Sequence, residues 1–305
     1  MSKRIRRTCS IVSGTLLAAM AAGWGTIFFG GGQAGALAWW LLIGFGFVGA
    51  GTLLLVMGLL IRGLSTRRSV TAMIGPLFLS MAAAAPIGIL FGVWPVAYPA
   101  NRAAVVPAAE VRLPFREPAV TGWGGDDIAH NRHATWPMER WAYDFMMEPA
   151  LTGSDRLTDY GIYGADVVAP AAGTIVGAYD DEADQPPGTE NYDSLLGNYV
   201  YLRLNATGTY LVLAHLKQGS VQVKEGQRVD EGDLLGQSGN SGASSEPHLH
   251  LHHQRQDPSK TSMYLSEGLP LYFRDVDGPR MPKGGIATKD GKEVLAGDRL
   301  APLTP

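Results

Sequence analysis

The chain has 305 residues, a formal net charge of -3 and 46% hydrophobic residues. This length allows more than one domain, and the small charge, with basic residues scattered through the polar half, excludes the basic stripe of a nucleic-acid-binding protein. Cys9 is the only cysteine, so neither a disulfide framework nor a cysteine-based zinc site can form within one chain. Any bound metal must therefore use histidine and carboxylate.

Residues 1–97 are predicted to form three transmembrane helices. The apolar stretches at about 9–29, 37–61 and 70–96 are each long enough to cross the roughly 30 Å of hydrocarbon in a bilayer. Their interiors contain no charged residue or histidine, which favours an anchor in the lipid bilayer over an ion pathway. The glycines of the segment 44–51 predict close helix packing, either within this chain or between two copies.

The basic residues predict the orientation of this anchor. The stretch 30–35 carries no charge, whereas basic residues flank the other helix ends at Lys3, Arg4, Arg6, Arg7, Arg62, Arg67 and Arg68. By the positive-inside rule the N-terminus is cytoplasmic, and everything after Tyr98 lies outside the cytoplasm. A cleaved signal peptide is the alternative for the first stretch, but no small-residue cleavage site follows a short apolar core.

The second part of the chain is predicted to be an antiparallel β domain over 121–275, after a Pro-rich linker at 98–120 and before an extended tail at 276–305. Short β-prone runs alternate with Gly, Asn, Asp and Pro turns at 173–179, 198–204, 209–216, 221–239 and 248–253. The acidic segment 179–193 is too polar to pack and is predicted to be a surface loop that either borders the site or is simply solvated.

Four of the seven histidines lie in the run PHLHLHH, and strand geometry places His248, His250 and His252 on one face. Same-face neighbours are about 7 Å apart, so two such imidazoles can converge on one metal ion or one water molecule. A surface histidine cluster is the alternative. The run therefore predicts a metal site only together with further ligands.

Four motifs follow one another in the polar half: APAAGTIV at 169–176, GNYVYLRL at 197–204, AHL at 214–216 and VKEGQRVDEGDLLGQSGNSGASSEPHLH at 223–250. In order and spacing they resemble the lysostaphin-type (LytM-like) zinc metallopeptidases over about 121–272. The resemblance implies a zinc endopeptidase that cuts peptide cross-links of peptidoglycan at the bacterial cytoplasmic membrane. The turns also resemble biotinyl and lipoyl domains, but the modifiable lysine of those domains is missing.

Carried over residue by residue, the resemblance implies that His250 and Asp144 bind Zn²⁺ and that His215 and His248 are the catalytic histidines. Two imidazoles and one carboxylate leave zinc an open position for water, whose pKa the metal lowers towards about 7. Histidines beside that water can accept and return its proton.

One position departs from the family. The family's first ligand is a histidine four residues before the aspartate, where this chain has Arg140, which cannot bind zinc. His133 is the favoured replacement and His130 the alternative. If neither binds, the expectation changes to a catalytically degenerate module that binds the wall or activates other wall hydrolases.

Overall fold

A computed structural model describes residues 3–67, 69–189 and 193–303, with side chains from residue 7 onwards. Arg68 and the side chains of Lys3, Arg4 and Arg6, to which the orientation prediction refers, lie outside the described residues, as do 190–192 of the acidic segment and the end of the tail. The chain divides into two compact units, Met1–Ala100 and Asn101–Pro305.

The first unit is helical. Its α-helices are α1 (Lys3–Gly25), α2 (Gly32–Ser65) and α3 (Ile74–Ala84); a π-helical turn extends α1 to Gly30, and 3₁₀ turns flank α3. Within the described residues, three helical segments are long and apolar enough to cross a membrane: Arg7–Gly30, Gly32–Ser65 and Thr71–Ile89. The prediction of three apolar helices is confirmed.

Several boundaries of these helices differ from the prediction, beginning with α1, which starts at Lys3 and not near residue 9. The third helical segment ends at Ile89 and not near residue 96, because Gly92 has a φ of 65° and Pro95 follows, neither of which continues a helix. The second helix is longer than predicted and includes the glycine-containing turn that precedes the apolar run.

Glycine allows α2 and α3 to approach closely. A Cβ placed on Gly49 would lie 2.4 Å from the backbone carbonyl carbon of Ala83, a distance at which atoms clash. Gly46 similarly faces Ile87 and Pro86. Two of the four glycines in the segment 44–51, Gly46 and Gly49, thus serve packing within this chain, as small residues do between membrane helices.

The second unit is built from short strands. In chain order they are β1 (Ala109–Val111), β2 (Ala119–Trp123), β3 (Tyr143–Met146), β4 (Asp166–Val168), β5 (Gly173–Tyr179), β6 (Asn198–Leu204), β7 (Tyr210–Leu216), β8 (Arg228–Val229), β9 (Leu234–Gln237), β10 (Leu249–Gln254), β11 (Leu271–Phe273), β12 (Val276–Asp277), β13 (Ile286–Lys289), β14 (Lys292–Leu295) and β15 (Arg299–Pro302). The predicted runs at 173–179 and 198–204 coincide with β5 and β6.

Among the described residues, nine strands form one antiparallel sheet in the order β12-β15-β2-β3-β10-β7-β6-β5-β8. The prediction of an antiparallel β domain is confirmed. Leu249 and Leu251 of β10 belong to the main hydrophobic core, so strand alternation directs His250 and His252 to the opposite face. This face of β10, β3 and β7 carries the candidate site.

The predicted linker is partly structured. Strand β1 pairs in parallel with β11, and Ala109, Val111, Leu113 and Phe115 are buried in the main core. The sequence does not reveal this pairing, because the segment is Pro-rich and the partner of β1 lies about 160 residues further along the chain. The linker prediction is therefore wrong for 109–115.

The predicted extended tail is likewise part of the fold. Strand β15 pairs with β2, where Leu300 lies opposite Ala119, and the side chain of Leu300 is fully buried in the main core. Strands β13 and β14 form a hairpin before it. This segment is rich in Gly, Pro and Lys, so its few core contacts do not stand out in the composition.

We expect Leu300→Ala to lower the free energy of unfolding of the β domain by about 2–5 kcal/mol, because it removes buried methyl groups from a packed core. Leu303→Ala is the matched control: Leu303 is 65% exposed, so its change should stay within about 0.5 kcal/mol. Thermal or denaturant unfolding of the full chain in detergent measures both. Equal effects would show that the tail is not integrated into the core.

Candidate metal centre

His250 and Asp144 meet because their strands pair. They are directly opposite each other in the register of β10 and β3, and residues so placed point to the same face. His250 Nδ1 lies 3.0 Å from Asp144 Oδ1, and both side chains are buried. The sheet itself therefore brings these two predicted ligands together.

His133 reaches the other oxygen of the same carboxylate. It lies in a 3₁₀ turn, Arg132–Thr135, whose first N–H groups are capped by Asn131, since Asn131 Oδ1 accepts a hydrogen bond from His133 N. The Asn131 amide also donates to the carbonyls of Gly125 and Ala142, which fixes the turn beside β3. His133 Nε2 lies 2.8 Å from Asp144 Oδ2.

Donor atoms of His133, Asp144 and His250 all lie within 4.8 Å of one another, close enough to share one metal ion. Two imidazole nitrogens and one carboxylate oxygen are the composition of zinc sites that keep a position open for water. The chemistry of this donor set therefore fits zinc.

Neither Arg140, which stands at the family's first ligand position, nor His130, the alternative to His133, contacts the Asp144 carboxylate in the way His133 does. Arg140 points away: its guanidinium donates to Asp126 Oδ1 at 3.0 Å and stacks 4.7 Å from the Trp141 ring centroid. His130 is paired with Asp127 and is 41% exposed at its side chain. Of the two candidate replacements, the fold brings His133, and not His130, to Asp144.

An unusual backbone conformation directs His215 to the site. Leu211 and Leu213 of β7 lie in the main core, so regular alternation would also send His215 there. His215 instead has a φ of 62°, next to a register shift between β6 and β7. Its ring centroid consequently lies 4.7 Å from that of His248 and 5.9 Å from that of His250.

His133, His215 and His248 each donate a hydrogen bond from Nδ1, the ring nitrogen that faces away from the candidate metal centre. His133 Nδ1 donates to Glu139 Oε2 at 3.1 Å, His215 Nδ1 to the Ser241 carbonyl at 2.8 Å, and His248 Nδ1 to the Glu246 carbonyl at 2.8 Å. A neutral imidazole carries one N–H, so in that form each presents the lone pair of Nε2 inwards. His248 Nε2 lies 3.7 Å from Asp144 Oδ1.

Burial and neighbouring charges shift the pKa values of the site residues in different directions. Burial opposes the charge on His133, but the Asp144 and Glu139 carboxylates outweigh it and raise its pKa to about 9. Burial alone would raise the pKa of Asp144, yet the surrounding imidazoles hold it well below its usual range. Burial lowers the pKa of His215 and of His248. At neutral pH the carboxylate is thus charged and the latter two histidines are neutral bases.

Glu139 is the site residue that the sequence analysis missed. Burial disfavours its charge, but His133 and the other imidazoles lower its pKa to about 2. It also forms a second group of candidate ligands with His250 and His252. An acidic residue within the otherwise apolar run beside Arg140 was the available signal.

The acidic segment 179–193 borders the site and is anchored there. Asp184 accepts hydrogen bonds from the backbone N–H groups of Asn240 (2.6 Å) and Gln218 (3.1 Å), and the Asn240 amide donates to the Gln185 carbonyl. Residues 240–246 in turn supply the carbonyls that accept from His215 and His248. Of the two outcomes left open, the described part of this loop borders the site.

Comparison with known proteins gives matches in this unit. Residues 156–261 match peptidase family M23. The chain is 36% identical over 88 residues to the peptidoglycan DD-endopeptidase ShyC of Vibrio cholerae, a match that covers 28% of this chain and 18% of that protein. The chain thus spans less than a fifth of the length of this curated relative.

Solved structures give lower similarity. The catalytic domain of the antimicrobial peptidase lysostaphin from Staphylococcus simulans is 22% identical, with a TM-score of 0.30, over 49% of this chain and 86% of that chain. A zinc-containing peptidase from Vibrio cholerae is 22% identical, with a TM-score of 0.25, over 37% of this chain and 26% of that chain. His215, His248 and His250 lie inside the segment that matches the family, whereas His133, Glu139 and Asp144 precede it.

We expect the full chain in detergent to bind one zinc ion and His133→Ala to lose it during dialysis, because two remaining ligands seldom hold zinc tightly. His130→Ala, which removes an exposed imidazole three residues away, should keep its zinc. Metal analysis after dialysis against a weak chelator measures the difference. Loss of zinc in His130→Ala but not in His133→Ala would assign the ligand to the other histidine.

Proposed function

We propose, from the match of residues 156–261 to peptidase family M23, that the protein is a zinc-dependent endopeptidase that hydrolyses peptide cross-links of bacterial peptidoglycan. The observation that carries the proposal is the convergence of His133, His248 and His250 on the buried Asp144 carboxylate, with the ring of His215 beside those of His248 and His250. The relative named as a peptidoglycan DD-endopeptidase supports the choice of substrate.

In this proposal His133, Asp144 and His250 hold the zinc ion. When bound, zinc supplies a Lewis acid that polarises a carbonyl and lowers the pKa of a coordinated water. The Arg140 position does not abolish the ligand set, because His133 occupies the space beside Asp144 from a different turn. This arrangement favours an intact centre over the degenerate alternative.

His215 and His248 serve as the proton carriers. Hydrolysis requires the attacking water to lose a proton while its oxygen bonds to the carbonyl carbon, and the departing amine to gain a proton as the C–N bond breaks. Both histidines are neutral because of burial and direct Nε2 towards the centre, so either can accept the first proton and return it to the nitrogen.

The surface over the centre can accept an extended peptide. A cavity of about 150 Å³ lies directly at the ligands, lined by Trp136, Leu196 and Met263 besides His133 and His250. A larger cavity of about 420 Å³ adjoins it and shares Leu195, Leu196 and Met263. Apolar walls with a few polar groups are typical of substrate clefts.

We expect the full chain in detergent to release new amino groups from isolated peptidoglycan, and His215→Ala and His248→Ala to slow this by about 10²–10⁴-fold, the usual contribution of a general acid or base. Both variants should retain zinc, since neither belongs to the ligand group of His133, Asp144 and His250. His130→Ala serves as the active control.

The outcomes of this experiment separate the candidate functions. A wild-type chain that holds zinc but releases no amine contradicts the proposed substrate. A metal-free, inert chain that still sediments with peptidoglycan would instead identify a wall-binding module, the function expected of a degenerate member that acts with other hydrolases.

The proposal includes a location. Three apolar helices support membrane anchoring, and a domain that acts on peptidoglycan must lie outside the cytoplasm. The basic residues Arg7, Arg62 and Arg67 flank the helix ends that the positive-inside rule assigns to the cytoplasm. We therefore place the N-terminus inside and the β domain outside.

In a Cys9→Ala background, a membrane-impermeant thiol reagent applied to spheroplasts should label Lys289→Cys, which is exposed in β13, without lysis. Thr66→Cys, exposed in the turn after α2, should react only after the membrane is permeabilised. The two positions test opposite sides of the membrane. The reverse labelling pattern would invert the topology.

A further inference from the structure

A row of three buried side chains continues away from the candidate metal centre along one face of β10. His250 Nε2 lies 2.9 Å from His252 Nδ1, and His252 Nε2 lies 3.0 Å from Gln254 Oε1. The Gln254 amide nitrogen donates to the Gln256 carbonyl at 2.7 Å and to Ser266 Oγ at 3.3 Å. These contacts link the metal centre to a backbone carbonyl.

The far end of this row fixes the direction of every hydrogen bond in it. A backbone carbonyl can only accept, so the atom of Gln254 that faces Gln256 must be its amide nitrogen. The carbonyl oxygen of Gln254 therefore faces His252, and it too can only accept. His252 consequently carries its proton on Nε2 and offers the lone pair of Nδ1 to His250.

The same reasoning fixes the position of the proton on His250, the proposed ligand. Because His252 Nδ1 is an acceptor, His250 must donate from Nε2. Asp144 Oδ1, 3.0 Å from His250 Nδ1, can likewise only accept, so a proton or a metal ion must lie between these two atoms. With the Nε2 proton held by His252, a metal ion that takes this place binds the lone pair of Nδ1. A metal ion binds an imidazole through its lone pair, and a partner on the other nitrogen decides which nitrogen offers it.

We infer that His252 and Gln254 are positioning residues of the metal centre: their hydrogen-bond relay holds the proton of His250 on Nε2 and thereby directs the lone pair of Nδ1 towards the ion. The inference rests on the proposed function only in assigning His250 as a ligand. The other three site histidines are fixed by a carboxylate or a backbone carbonyl, whereas His250 is fixed by another imidazole, whose direction Gln254 determines.

The relay also decides between two uses of His250. Glu139, His250 and His252 have donor atoms close enough to hold a second ion, with His250 Nε2 4.0 Å from Glu139 Oε1. That ion would need the lone pair of His250 Nε2, which the relay occupies with a proton. One chain therefore binds one zinc ion, at His133, Asp144 and His250.

The first test compares zinc dissociation constants of the full chain in detergent, measured by competition with a chelator. His252→Leu removes the acceptor and should weaken zinc binding by about 10–100-fold, the usual cost of losing such a partner. His252→Asn, of nearly the same shape as Leu, places an amide oxygen near the former Nδ1 position and should recover most of the affinity. Equal losses in the two variants would overturn the inference, because a purely structural or ligating role predicts them.

Gln254→Met tests the far end of the relay. It removes the acceptor of the His252 proton at similar volume, so His252 can adopt either tautomer, and zinc binding should weaken by a smaller factor than in His252→Leu. An unchanged dissociation constant would remove Gln254 from the relay.

The second test does not depend on zinc or on activity. In the zinc-depleted chain labelled with ¹⁵N-histidine, NMR should show His250 Nε2 protonated, with the signal assigned by its disappearance in His250→Ala. An unprotonated Nε2, or two zinc ions per wild-type chain, would overturn the relay. Failure of peptidoglycan hydrolysis with a protonated Nε2 would contradict the proposed function and leave the relay in place.

Discussion

The pairing of β10 with β3 is the constraint on which the site depends. It buries a charged Asp144 directly opposite His250, with a carboxylate oxygen 3.0 Å from an imidazole nitrogen. A buried carboxylate is costly unless it is paired and hydrogen-bonded, by several kcal/mol even after relaxation. The site therefore needs positive charge at this point. The guanidinium of Arg132, 3.3 Å from Asp144 Oδ2, supplies part of it, and a proton on a neighbouring imidazole or a metal ion can supply more.

The histidines around the carboxylate differ in the groups to which they are hydrogen-bonded. His133 lies between the carboxylates of Asp144 and Glu139. These two negative charges raise the pKa of His133 to about 9, and they would equally attract a metal ion. His215 and His248 are backed by backbone carbonyls, which fix orientation without adding a full charge. The proposed ligand His133 is thus backed by a carboxylate, whereas the proposed proton carriers His215 and His248 are backed by backbone carbonyls.

Local patterns in the sequence predicted much of this architecture. Strands β5 and β6 follow from runs of alternating, β-branched and aromatic residues between turns, and the common face of His250 and His252 follows from strand periodicity. The missed parts depend on pairing between distant residues. Strand β1 pairs with β11, and β15 pairs with β2. Neither pairing leaves a local signature in these segments, which are rich in Pro and Ala or in Gly and Pro.

The same limit applied to individual side chains of the site. His133 is the favoured replacement ligand, and the turn capped by Asn131 brings it to Asp144, although its role as a ligand remains a prediction. Glu139 was missed because its importance comes from a contact with His133 that no motif encodes. The relay through His252 and Gln254 was invisible for a similar reason, since a hydrogen-bond direction requires the whole set of partners.

His215 shows how the rest of the fold supports the centre. A non-glycine residue with a φ of 62° stores of order 1–3 kcal/mol, so neighbouring contacts must hold it in place. Its N–H donates to the Leu196 carbonyl, and its own carbonyl accepts from Gly239 N. The Ser241 hydroxyl joins the adjacent strands by donating to the Leu216 carbonyl and accepting from Asn198 N.

Further contacts extend the support of His215 to residues outside the site. The turn that contains Ser241 is itself held by the acidic segment, since Asp184 accepts from Asn240 N. Asn198 connects the acidic segment to the end of β7, because its side-chain amide donates to the carbonyls of Glu182 and Leu216. The strained conformation that turns His215 towards the centre is thus supported by contacts from the acidic segment, and the position of this proposed proton carrier depends on residues outside the cluster of site histidines.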